Sequence, residues 1–572
     1  MTSSLADNTR SDGGSPFVPP HPGSQQMPQW DGGELPAPPV FRWTDIAMFI
    51  GPGLVMGASA IGGGEWLLGP LTTARFGTAL MWLATLSILG QVIYNVEISR
   101  YALYCGEPIF TGKFRTLPGP LFWVFVYLLL DLGSLLPYLA SNAAIPVATL
   151  ILRRLPDPDS TVASFNLLGL ALTDRGLLKL LGCLIFGSVF IPLSVGGKVY
   201  NSMKAVMTFK LIAVVGFLLF LAVFFSSPST WWQIVTGFFG FGNVPVIAAD
   251  GGSNVDNLFA AWWQGRPVLL TGGTADRPAL GALLFDLSVV GTLASMAAIS
   301  GNGGLTNTPT SNYTRDQGWG MGGHVGAIPS IVGGHAIELS HVGMVFPVNQ
   351  SSLQRWKGWV RHVVREQWCV WMPACFLGLA LPSMLSLVFL PPGTIPKSDW
   401  QAASMTAQGV ADAVAIKFGA SWGPVFWALT LFCGFLVLGT SMASTADGVL
   451  RRWVDVFWTT LPWLRKWDTR HIGRLYFGVL CIYLVFGLIM LTLVPGDKLL
   501  KIATGILYNY ALGFSCFHVL VINLTLLPRE LRPGWFPRVG LVLGGLFFTV
   551  VAVISTTQEV PKLIAELQKA MG

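Results

Sequence analysis

Long apolar segments recur along most of the chain, and short polar segments separate them. From Arg42 onward, eleven segments are long enough to cross about 30 Å of hydrocarbon at a helical rise of about 1.5 Å per residue. We predict membrane spans one to eleven at residues 44–72, 78–104, 119–150, 177–195, 203–226, 279–304, 369–391, 421–445, 474–495, 499–526 and 537–556. The pattern predicts an all-α integral membrane protein.

The segments outside this apolar region differ from it in composition. The first forty residues are rich in Ser, Gly, Pro and Asp and lack the apolar run of a signal peptide. We therefore predict a disordered cytoplasmic tail at 1–41, a transmembrane transporter domain at 42–556 and a C-terminal tail at 557–572. Two connecting segments, 227–278 and 305–368, are long enough to hold short helices of their own.

Composition narrows the class of protein. The 572 residues are 52% hydrophobic and 11% charged, whereas soluble chains carry about 25% charged residues. A soluble enzyme is therefore excluded. The net charge of +7 comes from basic residues in the predicted loops, so it indicates membrane topology and not nucleic-acid binding. We predict a multi-pass protein of the cell membrane.

The distribution of the 35 Lys and Arg residues predicts the orientation. With the N-terminus in the cytoplasm, 21 of them fall on the cytoplasmic side and 13 outside, and Lys210 lies within span five. Because cytoplasmic loops are enriched in Lys and Arg, we predict a cytoplasmic N-terminus. Eleven spans then put the C-terminus outside.

Two spans contain clusters of glycine. Span one has Gly62, Gly63 and Gly64 directly before Glu65, and span six has three glycines within residues 301–304. Unpaired backbone groups in hydrocarbon cost several kcal/mol, so an unwound stretch survives there only where it lines a polar cavity. Close packing of helices through small residues is the alternative explanation, but it leaves the adjoining Glu65 unexplained.

The two glycine clusters occupy corresponding positions in the chain. Spans one and six each begin a group of five spans, and a pair of broken helices in corresponding positions is typical of transporters built from inverted repeats. We predict repeat one at about 44–226, repeat two at about 279–526 and an extra helix at about 537–556.

Residues 51–61, Gly-Pro-Gly-Leu-Val-Met-Gly-Ala-Ser-Ala-Ile, resemble the start of the first helix in the Nramp family of divalent-metal transporters. The resemblance implies a LeuT-like fold of two inverted five-helix repeats, with discontinuous first and sixth helices and the metal between them. The family's Asp-Pro-Gly-Asn break matches residues 62–65, so its metal-binding Asp and Asn correspond to Gly62 and Glu65. In span six, an ungapped match puts the family's metal-binding Met on Gly304 and retains its Asn as Asn307.

A charged side chain at the centre of a membrane costs at least about 2.5 kcal/mol, so acidic residues within spans are functional candidates. Glu65 is the first of these, either as a cation ligand or as a cap of the following half-helix. We predict a substrate and metal site at Gly62, Glu65 and Gly301, and further substrate contacts from Asn302 and Asn307.

Two residues of other spans are predicted to serve coupling or the transport pathway. Asp131 lies near the middle of span three, where the resembling family has an Asp-Leu-Ala-Glu run, and Asn509 lies in span ten. Turn chemistry explains Asn302 and Asn307 as well as ligand binding does, and hydrogen bonding between helices explains Asn509 equally well.

Other polar groups are weaker candidates. His324, His335 and His341 are eleven and six residues apart, a spacing that fits no compact metal site, so loop packing or gating is favoured. Asp286 is expected at the membrane interface. Asp447 follows the hydroxyl-rich residues 440–445, where architectures of this kind often hold sodium, although such hydroxyls also bond to helix carbonyls.

The leading hypothesis is a secondary transporter of a divalent cation. The resembling family's Met is replaced, which leaves an all-oxygen site suited to Mg²⁺ or Mn²⁺. Proton coupling is expected to be weak or absent, because the family's acidic and histidine positions correspond to Gly62, Ser134 and Thr306. Beyond the transported ion and the lipid bilayer, we predict no cofactor, no nucleic acid and no obligate protein partner.

Two other functions remain open from the sequence. A transporter of a small organic cation or amine, coupled to Na⁺ or H⁺, is compatible with the same fold. A membrane sensor that binds its ligand without flux is the third hypothesis. A membrane enzyme is disfavoured, because the sequence contains no motif of a nucleophile, paired acids or metal ligands at the membrane face.

Overall fold

The structure is a computed structural model. It describes residues 17–21, 23–40, 53, 56–58, 62–157, 160–167, 170–194, 199–247, 253–271, 282–328, 338–395, 399–494 and 499–571. Most of the 51–61 run that carries the family resemblance lies outside the described residues, and so does His335.

Helices follow the predicted spans in order. The helices assigned to spans two to five and seven to eleven are Trp82–Cys105, Pro120–Leu135 with Tyr138–Leu152, Asp174–Ser188, Val199–Phe225, Met372–Phe389, Trp422–Thr460, Ile472–Leu493, Asn509–Thr525 and Trp535–Met571. Π-helical turns precede three helices, at Gly64–Leu68, Gln367–Trp371 and Lys501–Tyr508. The shorter helices are Gly69–Phe76, Ile109–Arg115, Phe190–Ser194, Pro228–Phe238, Leu258–Trp263, Val290–Ile299, Pro309–Asp316, Gly322–Val325, Gln350–Glu366 and Ala407–Phe418.

Within the described part of the chain, eight helical segments are long and apolar enough to cross a membrane, judged by length and composition. Spans one, two and six are not among them: span six is divided into the short helices Val290–Ile299 and Pro309–Asp316, the helix Trp82–Cys105 of span two is not among the eight, and span one lies only partly within the described residues. A multi-pass membrane fold is therefore confirmed. The count of eleven spans and the cytoplasmic N-terminus stay predictions.

Span six differs from its prediction at both ends. Leu283–Asp286 is a β-strand, the helix Val290–Ile299 follows, and after the break a second half-helix runs from Pro309 to Asp316. The apolar run at 283–286 misled the prediction, since periodicity does not distinguish a short buried strand from a helix. The glycines at 301, 303 and 304 have φ angles of 108°, 71° and 53°, which end the first half-helix.

Span eight is longer than predicted. Its helix continues to Thr460, whereas the apolar pattern ends at 445. The added turns carry Arg451 and Arg452, which are fully buried and paired with carboxylates of other helices. Charged residues in the sequence indicate a loop, but ion pairing across helices allows these charges to be buried.

The N-terminal segment also differs from its prediction. The prediction extended a disordered tail to residue 41, but Trp30 is 2% exposed and Leu35 1% exposed. Asp31–Gly32 pairs in parallel with Met344–Val345. The described residues from 23 to 40 are therefore packed against the protein, because two buried apolar side chains and strand pairing compensate for the loss of chain entropy.

Short strands lie between the helices. Ala163–Leu167 pairs with Leu170–Thr173 in an antiparallel hairpin. The predicted long segment between spans five and six contains most of a four-stranded sheet in the order Ser253–Asn257, Asn243–Ile247, Leu283–Asp286 and Val268–Thr271. The fold is thus mainly helical, with these small sheets added to it.

The two halves of the chain meet in one apolar core. Its largest cluster includes Trp66 and Leu139 from the first half and Met442 and Tyr508 from the second. The helix Trp422–Thr460 packs against Tyr138–Leu152. This packing brings the two breaks together at the centre of the protein.

Candidate binding site at the two helix breaks

The carboxylate of Glu65 connects the two breaks. Its Oε2 accepts a hydrogen bond from the backbone N–H of Gly62 at 3.0 Å, and its Oε1 accepts one from the N–H of Gly301 at 3.1 Å. The side chain is 1% exposed. Glu65 therefore supplies acceptors for backbone groups that the interrupted helices leave unpaired.

A small cavity lies beside this carboxylate. Its volume is about 30 Å³, which is room for one or two water-sized groups. It is lined by Met56, Gly62, Gly63, Glu65, Tyr138, Leu139, Ile299, Gly301, Asn302, Thr306, Pro309, Ser441, Ser444, Thr445 and Tyr508. Both breaks and the hydroxyl-rich part of span eight thus face the same space.

The structure brings four of the predicted site residues to this cavity, namely Gly62, Glu65, Gly301 and Asn302. Asn302 is held at both ends of its amide: Nδ2 donates to the carbonyl of Met56 at 3.2 Å, and Oδ1 accepts from Nε1 of Trp371 at 2.9 Å. Local turn chemistry therefore does not account for its side chain. That these four residues bind an ion stays a prediction.

Asn307 lies behind the cavity, where the sequence did not indicate its partner. It is fully buried and donates to Oε1 of Gln91 at 2.8 Å. The same oxygen accepts from the backbone N–H groups of Asn302 and Gly303, and Nε2 of Gln91 donates to the carbonyl of Ser300 at 2.9 Å. Gln91 thus pairs with backbone groups of Ser300, Asn302 and Gly303 in the second break. Sequence reasoning missed it, since one glutamine in an apolar helix carries no motif.

Gly304 does not occupy the position that the family match implied. It does not line the cavity, and an added Cβ would lie 2.8 Å from Cδ1 of Tyr508. Gly301, three residues earlier, lines the cavity instead. Of these two glycines, Gly301 lines the cavity and Gly304 packs against Tyr508.

Asp131 is not at the cavity. Its carboxylate pairs with the guanidinium of Arg452, with Arg452 Nη2 2.5 Å from Oδ1, and accepts from Nε1 of Trp453 at 2.8 Å. Arg452 also donates to the carbonyl of Leu305 at 3.3 Å. Asp131 thus joins span three to span eight, and Arg452 in turn contacts the second break. The sequence does not indicate this pairing, because Arg452 lies beyond the apolar run of span eight.

Asn509 also makes structural contacts. Its Nδ2 donates to the carbonyls of Ala294 and Gly505, each at 3.0 Å. These bonds join span ten to the first half of span six. Asn509 is not among the cavity-lining residues, so hydrogen bonding between helices, the alternative explanation, accounts for its position.

Lys210 is a functional candidate that sequence reasoning left aside. Its side chain is fully buried in the helix Val199–Phe225, and Nζ donates to Oγ of Ser441 at 2.8 Å. Ser441 lines the cavity. The ammonium and the carboxylate of Glu65 attract each other electrostatically.

The other polar candidates have partners elsewhere. Asp447 accepts hydrogen bonds from the hydroxyls of Tyr313 and Tyr476 and pairs with Arg451, so its oxygens do not face the cavity. His324 bonds to a backbone carbonyl of the N-terminal segment and His341 to one that follows span eight. Asp286 is 3.6 Å from Arg75. Among the described residues, no group of three or more His, Cys, Asp or Glu side chains is arranged to hold a metal ion.

The chain is similar in structure to the Eremococcus coleocola manganese transporter. The complex of that protein with an aromatic bis-isothiourea compound aligns with a TM-score of 0.54 and 14% identity, covering 94% of this chain and 90% of that one. A single-residue mutant of the same transporter gives a TM-score of 0.57 and 11% identity, with 94% and 91% covered. No protein-family model and no curated protein sequence matches the chain.

These alignments cover almost the whole chain, so they concern the complete arrangement of helices. They confirm the LeuT-like fold with broken first and sixth helices that the resemblance to the Nramp family implied. The chain is a distant structural relative of that transporter. At 11% to 14% identity, the likeness concerns the fold.

Proposed function

We propose that the protein is a secondary transporter of a hard divalent cation of the Mg²⁺ or Mn²⁺ type, and not an enzyme. The observation that carries this proposal is the position of Glu65. Its buried carboxylate bridges both breaks inside the cavity. Acidic side chains buried within membrane spans are costly and therefore mark ion or substrate pathways, and the oxygens of this carboxylate can bind a transported cation.

The groups around Glu65 are suited to a hard ion. A carboxylate has about four acceptor sites, and two of them are used by Gly62 and Gly301. The remaining oxygens, together with the hydroxyls of Thr306 and Ser444 that line the cavity, are the ligand type that Mg²⁺, Ca²⁺ and Mn²⁺ prefer. Mg²⁺ dehydrates reluctantly, and the cavity has room for an ion that keeps one water.

The same geometry disfavours the organic alternatives. An anionic solute would need the N–H groups of the breaks, and Glu65 already accepts from those of Gly62 and Gly301. An organic amine is larger than the cavity, whose volume of about 30 Å³ holds one or two water-sized groups. A cation of atomic size is therefore the cargo that this site supports best.

Weak or absent proton coupling is part of the proposal. Asp131 and Glu65 are the two acidic groups that the sequence leaves near the site, too few for a proton relay, and Asp131 is paired with Arg452 away from the cavity. One acidic group, Glu65, then lines the cavity among the described residues. Cation flux would be driven by its own gradient and the membrane potential, worth about 2.3 kcal/mol per charge per 100 mV.

Uptake into vesicles containing the purified protein tests the proposal. We expect Mg²⁺ or Mn²⁺ to enter in response to an inside-negative potential, and Glu65→Gln to abolish the uptake. Glu530→Gln is a matched control, because Glu530 lies in an exposed turn. Binding of the ions without flux would favour the sensor hypothesis, and flux of none of them would overturn the proposal.

A further inference from the structure

A buried positive charge lies next to the proposed cation site. Lys210 is fully buried, and its ammonium donates to Ser441 Oγ at 2.8 Å. Ser441 belongs to the cavity wall together with Ser444 and Thr445, which lie three and four residues further along the same helix. The ammonium is therefore one hydrogen bond away from the space that Glu65 faces.

The site consequently has a balanced charge before any cargo enters. A carboxylate at Glu65 and an ammonium at Lys210 carry opposite charges, and each favours the charged form of the other. Both side chains are almost completely shielded from solvent. Charges interact strongly in such surroundings, because little water is present to screen them. An arriving cation therefore meets the attraction of Glu65 and the repulsion of Lys210 together.

We propose that Lys210 is a built-in counter-cation of Glu65 and determines how much positive charge the cavity accepts. This inference rests on the proposed cation-transport function and deepens it. Lys210 balances Glu65 when the cavity is empty, so the site does not need a bound metal to remain stable. It also keeps cation affinity low, and a transporter must release its cargo as well as bind it.

Removal of this ammonium has two consequences. Glu65 becomes a buried charge without a counter-charge, which is unfavourable until a cation compensates it. The cavity wall at Ser441 also loses the positive charge that Nζ of Lys210 places there. The Lys210→Met variant is therefore expected to bind Mn²⁺ more tightly and to acquire a site for Na⁺ beside Ser441 and Ser444.

Isothermal titration of the purified full-length protein with MnCl₂ and with NaCl tests this inference. For Lys210→Met we expect the Kd for Mn²⁺ to fall by at least about tenfold, and Na⁺ to bind where it does not bind the unchanged chain. Lys204→Met is the matched control, since Lys204 is partly exposed on the same helix. That control should leave both titrations unchanged.

The double variant Lys210→Met/Glu65→Gln separates charge balance from a packing effect. It removes both charges, so the gain in affinity should disappear, whereas a gain caused by altered packing would persist. Lys210→Gln serves as a second variant if Lys210→Met does not fold. Affinity for Mn²⁺ that is unchanged or weaker in folded Lys210→Met or Lys210→Gln would overturn the inference.

Failure of the proposed function has a different signature. It would appear as absent cation flux in vesicles containing the unchanged chain. Cation binding gained in Lys210→Met and lost in the double variant would still establish the role of Lys210 as a counter-cation of Glu65. Absence of Mn²⁺ and Na⁺ binding in both the unchanged chain and Lys210→Met would contradict both proposals.

Discussion

Oε1 of Glu65 accepts a hydrogen bond at 3.1 Å from the backbone N–H of Gly301, a residue 236 positions later in the chain. Glu65 also accepts from Gly62 in its own break. One carboxylate thus pairs with backbone groups of both interrupted helices, which are costly in hydrocarbon when unpaired. Separating the two breaks requires one of these bonds to be broken, so occupancy of the site and the relative position of the breaks are coupled.

Gln91 is expected to be as important for the second break as Glu65. Its Oε1 accepts from the N–H groups of Asn302 and Gly303 and from Asn307 Nδ2. Gln91→Leu leaves three buried donors without this acceptor, at about 1–3 kcal/mol each. We expect a clear fall in thermal stability in detergent. Ser99→Ala on the same helix is the control, and equal melting temperatures for Gln91→Leu and the unchanged chain would contradict this role.

The ion pair of Asp131 and Arg452 is predicted to be structural. Asp131→Ala leaves the buried guanidinium without its carboxylate and should cost about 3–5 kcal/mol. The double variant Asp131→Leu/Arg452→Met removes both charges and should recover most of that loss. Denaturation of the purified protein measures both variants. A fully stable Asp131→Ala with altered pH dependence of transport would instead support the pathway role expected from the sequence.

Metal preference is predicted to arise from oxygen ligands alone. Met56 lines the cavity, and Met56→Leu conserves volume while removing the sulfur. If the ligands are all oxygen, the ratio of Mn²⁺ to Cd²⁺ affinity should not change. Competition between the two ions in a binding assay measures this ratio. A selective loss of Cd²⁺ affinity would show that the thioether is a ligand.

Because the family match puts a metal-binding Met on Gly304, Gly304→Met would restore a thioether at that position. The structure predicts a different outcome. Gly304 has a φ of 53°, and its Cβ would lie 2.8 Å from Tyr508, so a side chain there is strained and crowded. We expect lower thermal stability with no gain in Cd²⁺ binding. Stronger Cd²⁺ binding by a stable Gly304→Met protein would contradict the placement of this glycine outside the cavity.

The architecture could be predicted from the sequence because its signals are local. The eleven apolar runs indicate membrane spans, and the two glycine clusters indicate broken helices. Glu65 is a candidate because it directly follows the first cluster. Each of these features lies within a few neighbouring residues. The length of an apolar run and the cost of an unpaired backbone group are sufficient to interpret them.

The parts that could not be predicted depend on distant partners. Arg452 lies beyond the apolar run of span eight, so the sequence predicts a loop there, but the residue is buried by pairing with Asp131, 321 positions away. Gln91 and Lys210 have no motif of their own, and their roles arise from contacts with span six and span eight. Residues 301–304 contain three glycines, and the sequence does not indicate that Gly304 packs against Tyr508 while Gly301 lines the cavity.

Proton coupling offers a further test of the charge arrangement. With Asp131 paired to Arg452, we expect cation uptake at zero membrane potential to cause little change of pH in vesicles that contain a pH-sensitive dye. Vesicles without protein measure the background leak of protons across the lipid. Acidification that depends on the cation and disappears in Glu65→Gln would show that Glu65 exchanges a proton for the cargo.

The central claim is that the Glu65 carboxylate is a direct ligand of the transported cation. Calorimetric titration of Mn²⁺ into the purified protein and into Glu65→Gln tests it most directly, since the substitution keeps the shape of the side chain and removes its charge. We expect the variant to lose about 2–3 kcal/mol of binding free energy, as for a hydrogen-bonded charged contact, or roughly a factor of 30 to 150 in Kd. Unchanged affinity in a folded Glu65→Gln protein would contradict the claim.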